Sequence, residues 1–315
     1  MILLSRAIEG FLLHKRASGR SPNTIRNYRI QLERLCEWLE DPDMDEVTPQ
    51  DLERFFIYLK EDYRVERIGR LDIEPRPLSP KTRKNAWGTL SAFWRWAAKE
   101  FNIDDPFDVA PVRYHPKPIQ PFSREEVQQL LVLCRETEAG AIRPTLKRDR
   151  AMLLALLDTG IRVSELIGAD IGDLEPDSGR LLVTGKGDKT RYVYIGQLGR
   201  RALWHYLAER FPNREPPSTE PLYVHHDGIH RLTRHGVRSQ LRALGIRAGI
   251  KDVYPHRFRH TFAIEFIRNG GDIFTLQQLL GHSSLDMVRR YVMLAEMDIE
   301  EAHRRASPAD NWRLR

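Results

Sequence analysis

Between Pro111 and Pro121, four of eleven residues are proline. Each lacks an amide donor and disfavours helix at the residue before it, so no regular element can run through the stretch. It reads as an extended linker. It divides the chain into an N-terminal domain, residues 1–112, a linker, 113–121, and a C-terminal domain, 122–315. A length of 315 residues suits two independent cores.

Everything before the linker reads as helix. Residues 1–17 open like a signal peptide, but Arg6 and Glu9 interrupt the apolar run and no small-residue cleavage site follows, so an amphipathic helix is expected. Ser21-Pro22, Thr48-Pro49 and Ser79-Pro80 each place a capping hydroxyl before a proline at the first helical turn. Apolar residues then recur at three- and four-residue spacing, which predicts a four-helix domain. After the linker, Ser123 and Glu126 form a capping box for a helix to about residue 138. Another helix runs from about 145 to 158. The period then changes to two: RLLVT and RYVYI flank GKGDKT, a β-hairpin with a charged tip. Helices follow over 197–210, 233–248, 255–269, 272–280, 284–291 and 296–304. The fold class expected is mainly α, with one small antiparallel sheet in the second domain.

Apolar residues make up 41% and charged residues 30% of the chain, which excludes a disordered chain. No uncharged apolar run approaches the ~18–20 residues of a bilayer span. Two cysteines, Cys36 and Cys134, are too few for a disulfide framework or a four-cysteine zinc site. Buried reduced thiols and a cytoplasmic location are expected. The net charge is +6; residues 1–115 hold 19 basic and 19 acidic residues, so the whole excess lies in the C-terminal part. That balance favours a polyanionic partner.

The sequence contains no GxxxxGK[ST] loop, no GxGxxG after a strand, no GxSxG elbow and no carboxylate cluster spaced for two metals. Its polar density peaks in Pro255-His-Arg-Phe-Arg-His260. His256 and His260 are i, i+4 neighbours, but Arg257 stands where a zinc protease needs glutamate, and flanking cations disfavour a metal ion. His256 and Arg259, at i, i+3, suit a phosphate better. Leu279-Leu-Gly-His282 follows, with Gly281 as a helix C-cap and Tyr291 nine residues beyond His282. Upstream, Thr159-Gly-Ile-Arg162-Val-Ser-Glu165-Leu sets an arginine just past a glycine break.

These five motifs, in this order and spacing, resemble the tyrosine recombinases, the phage integrase family. The N-terminal helices resemble that family's core-binding domain. The resemblance implies a helical, SAM-like core-binding domain and a mostly helical catalytic domain that together form a C-shaped clamp on DNA. It places the catalytic groups on Arg162, Lys186, His256, Arg259, His282 and the nucleophile Tyr291. It implies a transesterification giving a 3′-phosphotyrosyl link, with His256 as base, Lys186 as acid and no metal, ATP or other cofactor. Glu165 and His260 are supporting candidates; Glu165, at i, i+3, could orient Arg162.

DNA-contact candidates are Arg26 and Arg29 on one helix start, Lys81, Arg83 and Lys84 on another, Lys189 and Arg191 on the hairpin, and Arg231, Arg234 and Arg238 near a later helix. The partners implied are double-stranded DNA at a specific site and further copies in a tetramer, joined through a tail helix at 295–304, with a partner recombinase or accessory protein as a further candidate. Two roles fit: integration and excision of a mobile element, favoured by the tail sequence, or Xer-like dimer resolution. A non-catalytic DNA-binding protein and a topoisomerase are the competing classes.

Overall fold

The structure, a computed structural model, describes residues 2–65, 75–115, 118–134, 145–185, 187–281, 284–295, 303 and 307–312. Lys186, His282 and residues 296–302 and 304 of the expected tail helix lie outside them.

Two compact units divide the chain, Met1–Lys117 and Pro118–Arg315. The first carries α1 (Leu4–Ala17), α2 (Pro22–Leu39), α3 (Pro49–Glu61) and α4 (Pro80–Phe101). Ser21, Thr48 and Ser79 each accept a hydrogen bond from a backbone amide of the first turn, with proline at the helix start. The apolar faces close on Phe11, Leu32, Phe55, Phe93 and Trp94, all fully buried. A two-residue ladder, β1 (Arg64–Val65) against β2 (Arg76–Pro77), is an addition that the sequence pattern did not predict. Strands that short have no periodicity to read.

The second unit begins with α5 (Arg124–Val132), which stops before the expected residue 138. Then come α6 (Leu146–Thr159), α7 (Val163–Gly168), β3 (Leu174–Glu175), β4 (Arg180–Thr184), β5 (Thr190–Tyr194), α8 (Gln197–Arg210), α9 (Arg234–Ala248), α10 (Pro255–Arg268), α11 (Ile273–Leu280), α12 (Asp286–Leu294) and α13 (Pro308–Asn311). The sheet is antiparallel in the order β3-β4-β5, so the hairpin gains one short strand. Helix α6 is the axis of this unit. It packs on α8 and α10 and buries Met152, Ala155 and Leu156 completely. A second cluster joins α10, α11 and α12 through Ile264, Leu276, Leu280, Val288 and Tyr291. Cys134 is buried and Cys36 half-buried; both are free thiols, and burial pushes each up to about 12. Among the described residues, no helix is long and apolar enough to cross a membrane.

Candidate active site

The site grows from the ends of α6 and α11. Helix α6 stops at Gly160, which takes a left-handed conformation at φ 59°. A Cβ there would lie 2.4 Å from the Phe262 ring, so only glycine lets α6 meet α10 this closely. The chain turns, and Arg162 becomes the N-cap of α7. The Arg162 amide donates to Glu165 Oε2 at 2.7 Å and its guanidinium to Oε1 at 2.9 Å. The expected support of Arg162 by Glu165 is therefore present as geometry.

Helix α11 ends at Gly281, again left-handed. Its last two carbonyls and that of the Gly281 cap each receive an arginine. Leu279 O accepts from Arg191 Nε at 2.7 Å, Leu280 O from Arg259 at 2.7 Å and Gly281 O from Arg162 at 3.4 Å. A helix C-terminus carries the negative end of the dipole and unpaired carbonyls, so the LLG turn is a natural collector of cations. Arg259 also donates to Gly160 O at 2.7 Å and thus bridges the ends of both helices. Burial and the neighbouring Arg162 pull its pKa down to about 10, leaving it protonated near neutrality.

Glu165 is the counter-ion of this cluster. Burial pushes its carboxyl up, but bonds from Arg191 and then Arg162 outweigh that and hold it below the ordinary range. Two guanidiniums share this carboxylate and that of Arg259 stands close enough to feel it, so the cluster is cationic in character and favours an anionic ligand.

Tyr291 projects from α12 into the α10–α11–α12 cluster and is 2% exposed. Its hydroxyl pairs with His260 Nδ1 at 2.9 Å. Burial raises its pKa, against the pull of Arg259, Arg290 and Arg162. Burial, together with His256, Arg259 and Arg290, pushes His260 down to about 4, so this imidazole is neutral at pH 7. His256 lies on the exposed side of α10, its ring 6.4 Å from that of His260. The resemblance implies His256 as the base; the residue paired with the phenol is His260, one helical turn on.

The His260 shift has a consequence for stability. Between its ordinary value near 6.5 and about 4, the unfolded chain binds a proton that the folded protein refuses. Stability therefore falls as pH drops through that window. After discounting for a half-buried group, the loss is about 1–2 kcal/mol. His260→Asn should flatten this limb, as read from denaturant melts at pH 7 and pH 4.5; an unchanged slope would contradict it.

The DNA-contact candidates divide. Arg26, Lys81, Lys84, Lys189, Arg234 and Arg238 are exposed, and Arg83 is half-buried. Arg26 and Arg29 line a hollow at the start of α2 together with Arg16 and Arg20, two residues the sequence reading passed over. Arg29 is paired with Glu9 and Glu33, and Arg231 with Asp170 and the Ile167 carbonyl. Arg191 needs a correction. It does not point outward from the hairpin, but gives its guanidinium to Glu165 and Leu279, with 14% of its side chain exposed.

Residues 121–297 match the model of the phage integrase family, and residues 8–104 that of the phage integrase N-terminal SAM-like domain. Tyrosine recombinase XerC of Leptospira interrogans is 32% identical over 296 residues, covering 91% of this chain and 88% of that protein. Two solved structures share the fold. The XerH site-specific recombinase bound to a palindromic difH substrate has a TM-score of 0.68 at 22% identity, with 98% of this chain and 85% of that one covered. The Tn1549 transposon integrase in complex with transposon right-end DNA has a TM-score of 0.71 at 19% identity, with 96% and 98% covered. With both units matched by the family's own domain models and a curated relative aligned along nearly its whole length, the chain belongs to the phage integrase family and is a tyrosine recombinase, an enzyme of site-specific DNA recombination.

Proposed function

We propose that this recombinase cuts and rejoins duplex DNA through a 3′-phosphotyrosyl intermediate on Tyr291, in a Xer-type role of resolving chromosome or plasmid dimers. The observation that carries the chemistry is the convergence of Arg162 and Arg259 on successive carbonyls, Gly281 and Leu280, beside the α10–α12 cluster that holds Tyr291. Both guanidiniums can donate to the non-bridging oxygens of a phosphodiester and stay charged throughout. The phenol oxygen forms a bond to phosphorus and the bond to the 5′-oxygen breaks. The phenol proton leaves to His256, and the 5′-oxygen takes a proton from Lys186. The 5′-hydroxyl of the partner strand then attacks the phosphotyrosine and restores the phosphodiester. His282 adds a donor to the phosphate. The roles of His256, Lys186 and His282 follow from family resemblance.

The tail sequence favours a mobile-element integrase. The nearly full-length similarity to a curated XerC supports the dimer-resolution role instead, whereas the likeness to the transposon integrase is one of fold. Assembly as a tetramer through residues 295–304 belongs to the same reading. Capture settles the role. The protein is incubated with nicked fragments of its source genome and stopped with SDS, and the DNA bound to it is sequenced. Adducts at a single chromosomal locus outside any element support dimer resolution; adducts at the ends of an element overturn it.

Contacts to the DNA backbone are assigned to the exposed cations Arg26, Lys84 and Arg234. Each phosphate contact removed lowers the slope of log K against log salt by about 1. Arg26→Gln with Lys84→Gln should therefore reduce the slope by about 2 and weaken binding to all sequences alike, as measured by fluorescence anisotropy across a salt series. An unchanged slope would remove both residues from the interface.

A further inference from the structure

Arg191 has no assigned part in recombination, yet its guanidinium sits at the centre of the arginine cluster. Two of its nitrogens grip the Glu165 carboxylate, Nη1 to Oε1 at 2.9 Å and Nη2 to Oε2 at 2.8 Å, while Nε donates to Leu279 O at 2.7 Å. The Glu165 side chain is fully buried, and the same Oε1 takes the Arg162 guanidinium at 2.9 Å. Two glycines frame the pair. A Cβ on Gly281 would lie 3.1 Å from an Arg191 nitrogen, and one on Gly185 would lie 3.2 Å from Glu165 Oε1. Gly281 and Gly185 immediately precede His282 and Lys186 in the sequence.

We propose that Arg191 is a positioning residue of the recombination reaction: by holding Glu165 from one side and Leu279 O from the other, it fixes the Arg162 guanidinium that faces the phosphate. This rests on the catalytic reading of Arg162 above. The geometry of the Arg191 fork favours positioning over DNA contact. A bidentate pair uses both terminal nitrogens on one carboxylate, and the third bond consumes Nε. A lysine offers one point charge and cannot make all three. Removing Arg191 takes away two of the four hydrogen bonds that hold the buried Glu165 carboxylate and leaves it with the amide and guanidinium of Arg162, so the partner of that guanidinium is less firmly fixed. Displacement of a catalytic group by about 1 Å is enough to cost on the order of 10²-fold in rate.

Two readouts test this on the full chain. The first needs no DNA. The side-chain Nε–H signal of Arg162, identified by its loss in Arg162→Lys, is followed by NMR in the parent and in Arg191→Met. Its broadening or collapse toward the free-arginine position is expected, while the thermal midpoint of Glu165→Gln/Arg191→Met verifies that the fold survives without either partner. An Arg162 signal unmoved in Arg191→Met overturns the proposal. The second is single-turnover cleavage of a nicked duplex carrying the sequence captured by the parent protein, at saturating DNA. Arg191→Met should cleave about 10²-fold more slowly, with the salt slope of binding unchanged, and Arg191→Lys should recover part of the rate. Glu165→Gln should be as slow as Arg191→Met, and the double variant no slower than either, because residues acting as one unit are not additive. A cleavage rate left intact with a salt slope lower by about 1 would make Arg191 a phosphate contact and refute positioning. A parent protein that forms no adduct refutes the catalytic reading beneath, and the NMR comparison still decides whether Arg191 holds Arg162.

Discussion

Tyr291→Phe is expected to leave no SDS-stable protein–DNA adduct while binding DNA within about two-fold of the parent. The substitution removes one oxygen and nothing else from the packed cluster of Ile264, Leu276, Leu280 and Val288. The ring stays, so α12 stays docked. The 2.9 Å bond to His260 is lost, worth about 1 kcal/mol net, and the phenol's own desolvation cost disappears with it. Stability should therefore barely move, and a rise would be unsurprising for a hydroxyl whose pKa burial pushes up. Chemistry should be lost outright, because no other group can take the place of a covalent nucleophile. Denaturing gel analysis of nicked duplex after incubation measures this directly. An adduct that persists in Tyr291→Phe would move the nucleophile to another residue. The 2% exposure of Tyr291 adds a kinetic expectation. A phenol this buried has to become accessible before it can attack, so adduct formation in the parent should lag behind DNA binding.

Much of this site could be read from the sequence, for reasons that are local. Capping residues and helical periodicity are properties of neighbours, so α2, α3, α4 and α10 begin where Ser21, Thr48, Ser79 and the Pro255 turn require. Gly160 and Gly281 mark helix ends because a left-handed residue is needed there. What could not be read is convergence across the chain. Arg162, Arg191 and Arg259 reach the end of α11 from 119, 88 and 21 residues away, and no spacing rule encodes that. Arg191 is the instructive case. A charge near a hairpin tip suggests an outward side chain. Yet Arg191 stands two residues before the fully buried Val193 and pairs in register with the buried Val183. The period of two that identified the strand already placed Arg191 on its inward face. His260 stands out in the sequence as a supporting candidate, i, i+4 from His256, but its meeting with the Tyr291 hydroxyl depends on how α12 docks on α10 across 31 residues, which the motif does not encode.

Arg259→Gln is expected to slow single-turnover cleavage by about 10²–10³-fold, the usual loss when one preorganised donor to a transition-state oxyanion is removed. The accompanying change in stability should be small, because two effects oppose. The guanidinium closes the carbonyls of Gly160 and Leu280 at 2.7 Å each, and a buried carbonyl left unpaired costs about 1–3 kcal/mol. Against this, burial and Arg162 disfavour the charge enough to bring its pKa to about 10. Relative to an ordinary arginine, that is about 3 kcal/mol returned when the charge goes. The glutamine amide can still donate to one carbonyl, which narrows the gap further. A residue that is 3% exposed would ordinarily be expected to act through packing, so the decisive comparison is rate against stability in the same variant. Urea melts within about 1–2 kcal/mol of the parent together with a 10²-fold rate loss would assign the cationic cluster to the reaction. A melt that collapses while residual folded protein cleaves at the parental rate would make Arg259 a strut between α6 and α11. The charge of the cluster argues for the first outcome. Arg162 and Arg191 share the Glu165 carboxylate and Arg259 stands beside them on the carbonyls of Gly160 and Leu280, so on the proposed reading a phosphodiester would bring an anion to three neighbouring cations.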